Sequence, residues 1–385
     1  MKPIVAIPTK DRPDRLNKLL TKLEENFAQF HTDAHVAVFD DTKTNSAEEI
    51  VAKHSSNLDI LHYGTEHKNY LATFGNPELF RQSYGGNRNA ILATFPNHRI
   101  IMLDDDMAPF SVKAKGPKMK VTIPLEKSQV HLGNLRYPSE KDTFTSTDFV
   151  DILLKDLGRK PSKRNIFVDM DVPVSGSIRG TRMKRHSIPS HITKITQTGH
   201  TDTYEFVRAQ VNPLLCNDRI KPSFTTQCSY ACVAMNTAYT ANIPFVPTRY
   251  KYEDILHSNM LFSAGLSSVR STKANMLHTS GKGNITLEEA IQQDVIASVA
   301  SSILQEECKY VYTHGGTYSD IVRSNFDSFS AEEIMARAIG KTLRFFQTTC
   351  NTNDTAYMRE QIKNELYLAQ RTFKAWPDVL KKVRE

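Results

Sequence analysis

The first hundred residues alternate short apolar runs with longer stretches in which apolar residues recur every three or four positions. Pro3–Thr9 and Ala34–Phe39 are runs of apolar and β-branched residues, which is typical of buried strands. Between them, Arg15–Phe30 spaces its leucines and Phe27 by three and four positions, which predicts an amphipathic helix. A strand, a helix and a second strand in this order predict a right-handed crossover and a parallel sheet.

The alternation continues as far as residue 103. The pattern predicts a helix over Ser46–His54, a strand over Leu58–Tyr63, a helix that opens at the glycine pair within Ser83–Leu92 and a strand over Arg99–Leu103. Glycines let a ligand approach the backbone closely, and a helix N-terminus favours an anion. We therefore predict an α/β fold with a mostly parallel, Rossmann-like sheet.

After residue 107 the regular alternation ends. Further apolar runs predict strands over Lys118–Pro124, Ile166–Val174 and Ile192–Thr196, and an amphipathic stretch predicts a helix over Thr147–Leu157. Capping-box patterns at Thr286–Glu289 and Ser330–Glu333 each open a helical stretch. We predict a main domain over residues 1–285 with an insertion over 111–222, followed by a helical C-terminal region over 286–385.

The composition is that of a globular protein. Of its 385 residues, 39% are hydrophobic and 24% charged, so disorder is not indicated. No apolar run approaches the length of a membrane span, and residues 1–13 lack the pattern of a signal peptide. Five dispersed cysteines, without a C-x-x-C pair, suit free thiols in a reducing compartment. We expect a cytoplasmic protein.

Positive charge is concentrated in the insertion. The segment Ser111–Ile195 contains seventeen Lys or Arg and eight Asp or Glu, a net charge of +9, whereas the whole chain has +7. A local basic surface attracts polyanions such as nucleic acid, anionic lipid or acidic glycan. A solvated insertion kept soluble by lysine is the alternative interpretation.

Carboxylates follow two of the predicted strands at the point where each ends. Asp40 and Asp41 follow the second strand, and Asp104, Asp105 and Asp106 follow the fourth. Ligands bind at the carboxyl edge of open α/β sheets. Three adjacent carboxylates repel one another, and Mg²⁺ or Mn²⁺ would compensate their charge. An acidic, solvated turn is the alternative.

Four motifs occur in an order and at a spacing that resemble those of glycosyltransferases of the GT-A fold, most closely family 2. They are Ile7-Pro8-Thr9-x-x-Arg12-Pro13, Phe39-Asp40-Asp41, Gly85-Gly86-x-Arg88-Asn89-Ala90 and Leu103-Asp104-Asp105-Asp106. The resemblance implies a GT-A-like fold and a nucleotide-sugar donor. The nucleotide-contacting residues that it implies are Pro8, Thr9, Arg12, Asp40, Asp41, Arg88, Asp104 and Asp105. It also implies that Asp104 and Asp106 bind the metal.

A later acid pair also resembles a motif of this family. Glu253 and Asp254 open a helical stretch that ends near Gly265. Transfer of a sugar with inversion needs a carboxylate that takes the proton of the acceptor hydroxyl. The resemblance implies that Asp254 is this base and that Glu253 contacts the acceptor or the sugar, although acids are also favoured at helix N-termini by the dipole alone. His278 lies where several GT-A enzymes place a metal ligand, and a structural histidine is the alternative.

The motifs and the resemblance together predict a metal-dependent glycosyltransferase, a hexosyl- or pentosyltransferase that uses Mn²⁺ or Mg²⁺. The resemblance alone implies an inverting outcome. The acceptor would be a glycan or, given the basic insertion, DNA with hydroxylated bases. A non-enzymatic polyanion-binding protein is a rival, and a nucleotidyltransferase is another, although the first loop lacks the glycines of that class. Packing is the default role for the C-terminal helices, and domain closing, acceptor binding and dimer formation are all open.

Overall fold

The computed structural model describes residues 2–42, 46–80, 83–113, 118–125, 128–136, 143–157, 174–180, 216–217, 223–225, 230–250, 252–264, 268–278, 287–316 and 355–385. Strands and helices alternate over the first part of the chain, as its hydrophobic pattern predicts. In order they are β1 (Ile4–Thr9), α1 (Pro13–Phe30), β2 (His35–Asp40), α2 (Ser46–His54), β3 (Ile60–Tyr63), α3 (Thr65–Ala72), a 3₁₀ turn (Pro77–Phe80), α4 (Tyr84–Thr94) and β4 (Arg99–Leu103).

The second part of the chain is richer in short strands. Its described elements are β5 (Met107–Ala108), β6 (Phe110–Lys113), β7 (Lys118–Leu125), β8 (Ser128–Arg136), β9 (Thr143–Ser146), α5 (Phe149–Leu157), β10 (Val174–Gly180), β11 (Cys216–Asn217), β12 (Ser223–Thr225), β13 (Cys232–Asn236), α6 (Thr237–Thr240), α7 (Glu253–Ser263), β14 (Ser268–His278), α8 (Leu287–Thr313) and α9 (Thr355–Arg384).

The central sheet has the order β12-β14-β10-β13-β4-β1-β2-β3, with β5 paired to β14. The strands β4, β1, β2 and β3 run parallel, which is the arrangement that their alternation with helices predicts. The strand β13 pairs antiparallel with β4, so the other half of the sheet is mixed. The predicted α/β class is confirmed, with a central sheet that is parallel in one half and mixed in the other.

The strands β1, β2 and β4 are buried on both faces, to which their successive side chains point in turn. Val5 and Ile7 of β1 pack with α1, α2 and α5 on one face. Ile4 and Ala6 of the same strand pack with α4 and α9 on the other face. This two-sided burial explains why the strands are continuous apolar runs.

The last helix belongs to the same core as the sheet. Trp376 of α9 is fully buried, and its indole Nε1 donates a hydrogen bond of 2.7 Å to the carbonyl oxygen of Ala241. Gly75 makes room for this helix, because a Cβ there would lie 2.5 Å from Cγ2 of Val379. Among the described residues, no helix combines the length and apolar character needed to cross a membrane.

Most predicted elements that fall on described residues are confirmed, with ends shifted by one or two positions. The helix predicted over Thr147–Leu157 begins at Phe149, and the strand predicted over Lys118–Pro124 is β7. The strand predicted over Ile192–Thr196 and the capping box at Ser330–Glu333 lie outside the described residues, as does Ile166–Val174 except for Val174, which begins β10. The domain boundary at residue 285 stays a prediction.

Trp376 is the sole tryptophan of the chain, so its fluorescence reports on the docking of α9. Because Trp376 shares a core with sheet residues such as Ile100, we expect α9 to unfold together with the sheet. Urea unfolding followed by tryptophan fluorescence and by far-UV circular dichroism should give coincident transitions. A fluorescence transition at clearly lower urea would show instead that the C-terminal helix unfolds independently.

Candidate active site

The parallel register brings three of the predicted motifs to one edge of the sheet. Thr9 at the end of β1 pairs with Asp40 at the end of β2, and β4 on the other side of β1 ends at Leu103, just before the three aspartates. The predicted convergence of strand-end carboxylates is therefore observed.

Asp105 links the triple-aspartate segment to the first loop, which follows β1, by hydrogen bonds. Its side chain is 3% exposed, and its Oδ2 accepts a 2.8 Å hydrogen bond from Oγ1 of Thr9. Its Oδ1 accepts a 3.1 Å hydrogen bond from Nη1 of Arg12, whose Nη2 donates to the hydroxyl of Tyr84 at 2.5 Å. Burial raises the pKa of Asp105, and Arg12 and Thr9 oppose that rise. Asp105, expected at the nucleotide, thus bonds within the protein.

The two acids after β2 have different surroundings. Asp40 accepts hydrogen bonds from the backbone N–H and the hydroxyl of Thr42, and its Oδ2 lies 3.5 Å from Nε2 of His62. Burial alone would raise the pKa of Asp40, but His62 and Thr42 outweigh it, and the pKa is lowered. This acid therefore stabilises the turn.

Asp41 is paired with the buried ammonium of Lys68, which donates to its Oδ1. Burial raises the pKa of Asp41, and Lys68 opposes this effect. Its other oxygen, Oδ2, is buried and has no hydrogen-bond partner among the described residues. Because an ionised carboxylate accepts at both oxygens, Asp41 presents a free acceptor at this place.

A cleft of about 250 Å³ opens between these loops. That volume is slightly below the range of about 300–1,000 Å³ typical of sites for drug-sized ligands, so we expect it to enclose part of a larger molecule. Its walls come from the first loop, from Asp41, from the start of α4 and from the loop before α7. The lining residues are Thr9, Lys10, Asp11, Arg12, Asp41, Ser83, Tyr84, Asn87, Thr248 and Arg249.

Several lining residues were missed by sequence reasoning. Thr248 and Arg249 lie in the loop before the Glu-Asp pair, and Tyr84 begins α4 immediately before the glycines. The loop that bears Thr248 and Arg249 can approach α4 only because residue 85 is a glycine, since a Cβ there would lie 2.3 Å from the carbonyl oxygen of Val246. Gly85 thus makes room for the backbone of that loop. Pro8 is buried in β1 and does not line the cleft.

Arg88 lies beneath the cleft, not in its wall. It is 2% exposed, and its Nη1 donates to Oε1 of Glu253 at 3.0 Å and to the carboxylate of Asp254. Its Nη2 donates to Oδ1 of Asp104 at 3.2 Å. Burial would lower the pKa of Arg88, but the three carboxylates outweigh it and raise that pKa. One guanidinium therefore joins the triple-aspartate segment to the Glu-Asp motif.

The acid pair opens α7, as predicted, and its two members differ in exposure. The side chain of Asp254 is 34% exposed, whereas that of Glu253 is 7% exposed. Burial raises the pKa of both carboxyl groups, and Arg88 opposes the rise at each. Asp254 is therefore the member that a molecule in solution can reach.

The last helix fixes the segment before the acid pair. The hydroxyl of Tyr252 donates to Oε2 of Glu365 at 2.8 Å, and that of Tyr250 donates to Oε1 of Gln361 at 3.2 Å. Both acceptors lie on α9. The site is thus supported by a region more than one hundred residues further along the chain.

Negative charge exceeds positive charge at one point of the site. Asp41, Asp105 and Asp106 each lie near a cation of their own, namely Lys68, Arg12 and Arg15. Among the described residues, Asp104, Glu253 and Asp254 share Arg88. Burial, reinforced by Asp254, Asp106 and Asp105, raises the pKa of Asp104. A divalent cation would offset this excess.

The sheet register places the backbone of His278 beside the triple-aspartate segment. His278 ends β14 and pairs with Met107, the residue after Asp106. Two carboxylates and an imidazole form a donor set that suits Mn²⁺, so the residues fit such an ion. The side chain of His278 lies outside the described part of the structure. Within that part, no three His, Cys, Asp or Glu side chains surround a common metal position.

No protein-family model and no curated protein matches the sequence. Solved structures are similar at 11–12% identity. Glucosyl-3-phosphoglycerate synthase from Mycobacterium tuberculosis, in complex with Mn²⁺, UDP and glucosyl-3-phosphoglycerate, aligns with a TM-score of 0.42, 11% identity and 79% of each chain covered. S. aureus TarS 1-349 aligns with a TM-score of 0.43 and 12% identity, and the alignment covers 100% of this chain and 91% of TarS 1-349. The mannosyltransferase PcManGT from Pyrobaculum calidifontis, in complex with GDP-Man and Mn²⁺, aligns with a TM-score of 0.42 and 11% identity. The alignment covers 97% of this chain and 86% of PcManGT. Membership of family 2 stays a prediction.

Because His257, one turn after Asp254, is buried, we expect the folded protein to lose stability in acid. Its Nε2 donates to the carbonyl oxygen of Ile243 at 2.9 Å, which leaves Nδ1 to accept from the hydroxyl of Tyr230 at 2.5 Å. Burial lowers the pKa of His257 to about 3. The unfolded chain, with a pKa of about 6.5, therefore binds a proton that the folded chain does not, and stability falls as the pH drops from about 6.5 towards 3.

Urea unfolding between pH 7.5 and pH 4.5 tests this expectation with a His257→Gln variant, whose side chain cannot be charged. We expect the wild type to lose up to about 1.4 kcal/mol per pH unit more than the variant below pH 6.5. The comparison at pH 7.5, where both side chains are neutral, measures the packing cost alone. Equal pH slopes would show that His257 is charged in the folded protein.

Proposed function

We propose that this protein is a metal-dependent glycosyltransferase that moves a sugar from a nucleotide-sugar donor to a hydroxyl acceptor. One observation supports the proposal most strongly. Motifs that are far apart in sequence converge at the carboxyl edge of the sheet: the first loop and Asp41 line one cleft there, and Arg88 joins the triple-aspartate segment to the Glu-Asp motif.

The cleft would hold the nucleotide. The free oxygen of Asp41 can accept a hydrogen bond from an N–H group of the base, and Thr9 lies beside it at the end of β1. Lys10, Arg12 and Arg249 also line the cleft and favour an anion such as a diphosphate. The tyrosine ring at the start of α4 offers an aromatic face, since Tyr84 is 36% exposed.

Asp104 and Asp106 would hold the divalent cation, with His278 as the third ligand. Mn²⁺ is the ion that this donor set suits best, and Mg²⁺ is the alternative. When bound, the cation supplies positive charge that stabilises the diphosphate leaving group. Asp105 would keep the triple-aspartate segment in place through Thr9 and Arg12.

Asp254 would act as the general base. Its partly exposed carboxylate would take the proton of the acceptor hydroxyl as that oxygen attacks the anomeric carbon of the donor sugar. Arg88 keeps this carboxylate beside a positive charge, which favours its ionised form. The family resemblance suggests inversion at the anomeric carbon.

The proposed acceptor is a molecule that bears a hydroxyl group. The idea of a DNA acceptor depends on the basic segment Ser111–Ile195, and long parts of that segment lie outside the described residues. A non-enzymatic polyanion-binding protein would not need the acids, so their variants separate the two functions.

Release of nucleotide from UDP-, GDP-, dTDP- and CMP-sugars, measured with Mn²⁺ or Mg²⁺, tests the proposal. We expect turnover with at least one donor, and a loss of about 100-fold or more in both Asp254→Asn and Asp106→Ala variants. Asp378 is an exposed acid on α9 that does not line the cleft, so Asp378→Asn should retain wild-type activity. Undiminished turnover in both site variants would refute the assignment.

A further inference from the structure

Arg88 connects the two halves of the site. Its carboxylate partners come from the end of β4 and from the first turn of α7, which are about 150 residues apart in sequence. The Cζ atom lies 5.7 Å from the ring centre of Tyr230 and 5.6 Å from that of Phe245. Charged groups therefore meet the guanidinium at its edge, and aromatic rings lie near it.

The helix that bears Arg88 is fixed on both sides of it. Ser83 caps α4 by accepting a 3.0 Å hydrogen bond from the backbone N–H of Gly86. Asn87 donates to the carbonyl oxygen of Thr9 at 3.1 Å, and Asn89 exchanges two hydrogen bonds of 2.8 Å with the backbone of Phe245. The guanidinium is thus held in position before any ligand binds.

The exposed fractions of the side chains show which of these groups a molecule in solution can reach. Arg88 is 2% and Glu253 7% exposed, whereas Asp104 is 21% and Asp254 34% exposed. The arginine and the glutamate are therefore shielded from solvent, whereas the two aspartates are partly accessible. A molecule bound at this edge of the sheet can reach the aspartates without touching the guanidinium.

Resting on the function proposed above, we propose that Arg88 is a positioning residue that holds Asp254 and Asp104 side by side at the carboxyl edge of the sheet and does not contact the nucleotide. Glu253 anchors the guanidinium from behind. This assignment differs from the one that the family resemblance implies, in which Arg88 is a nucleotide contact and Glu253 touches acceptor or sugar.

The planar fork of arginine suits this role. Its nitrogen donors point in fixed directions and can bond carboxylates on two sides, whereas a lysine ammonium is a compact point charge on a flexible stem. A lysine at this position would keep the compensating charge but would hold fewer of the three partners. Loss of one such charged hydrogen bond corresponds to a rate reduction of about 10- to 100-fold.

Arg88→Lys and Arg12→Lys form a matched pair of variants, because Arg12 lines the cleft and Arg88 does not. For Arg88→Lys we expect kcat to fall about 10- to 100-fold, while KM for the donor and the Kd of its nucleoside diphosphate, measured by calorimetry with Mn²⁺, change less than about twofold. For Arg12→Lys we expect the reverse, a Kd raised about tenfold with a smaller change in kcat.

In Arg88→Lys, a raised Kd of the nucleoside diphosphate with an unchanged kcat would overturn the proposal. Wild-type values of both Kd and kcat in this variant would also overturn it. Thermal unfolding verifies that the variant is folded. If Arg88→Lys does not fold, the Glu253→Gln variant is tested in its place. We then expect a lower kcat with unchanged KM values for donor and acceptor. A raised KM for the acceptor would show instead that Glu253 contacts the acceptor. Inactive wild-type protein would refute the proposed function itself, so the two failures are distinguishable.

Discussion

The pairing of buried carboxylates with a limited number of cations is the constraint on which this site depends. Removing a carboxylate from water is costly unless a positive charge or hydrogen bonds compensate it. Lys68, Arg12 and Arg15 each compensate one acid, and each pair fixes a loop at the edge of the sheet. Around Arg88 three acids share one cation among the described residues, so charge compensation is least complete there. Two of these three acids are Asp104, a proposed metal ligand, and Asp254, the proposed base.

The same constraint explains why the C-terminal helix is part of the site. The Glu-Asp pair can stay near Arg88 only if the loop before it is rigid, and Tyr250 and Tyr252 bond that loop to α9. The helix is in turn held by Trp376, which lies in the core beneath the sheet. Packing of a distant helix therefore supports the geometry of the acids. Packing was the default expectation for these helices, and dimer formation stays a prediction.

The sequence alone predicted the parallel half of the sheet because two-sided burial produces continuous apolar runs, as in Val36–Phe39. It also placed the strand-end acids at one edge, since parallel strands end together. It did not predict that Asp105 and Arg88 bond within the protein, because a residue's type does not reveal whether its partner is a ligand or a distant side chain. Thr248 and Arg249 were missed for a related reason, as only the close approach allowed by Gly85 brings their loop to the cleft. Short strands such as β6 and β9 were missed because neither is long enough to show a period.

The central claim is that this edge of the sheet is a joint site for a nucleoside diphosphate and a divalent cation. Calorimetric titration of the wild-type protein with UDP, GDP, dTDP and CDP, each with Mn²⁺ and with EDTA, tests it most directly. The account predicts that at least one of them binds in the presence of Mn²⁺ and that binding weakens by at least about tenfold, or 1.4 kcal/mol, when the metal is removed. Binding of equal strength with and without metal, or no binding of any of the four, would contradict it.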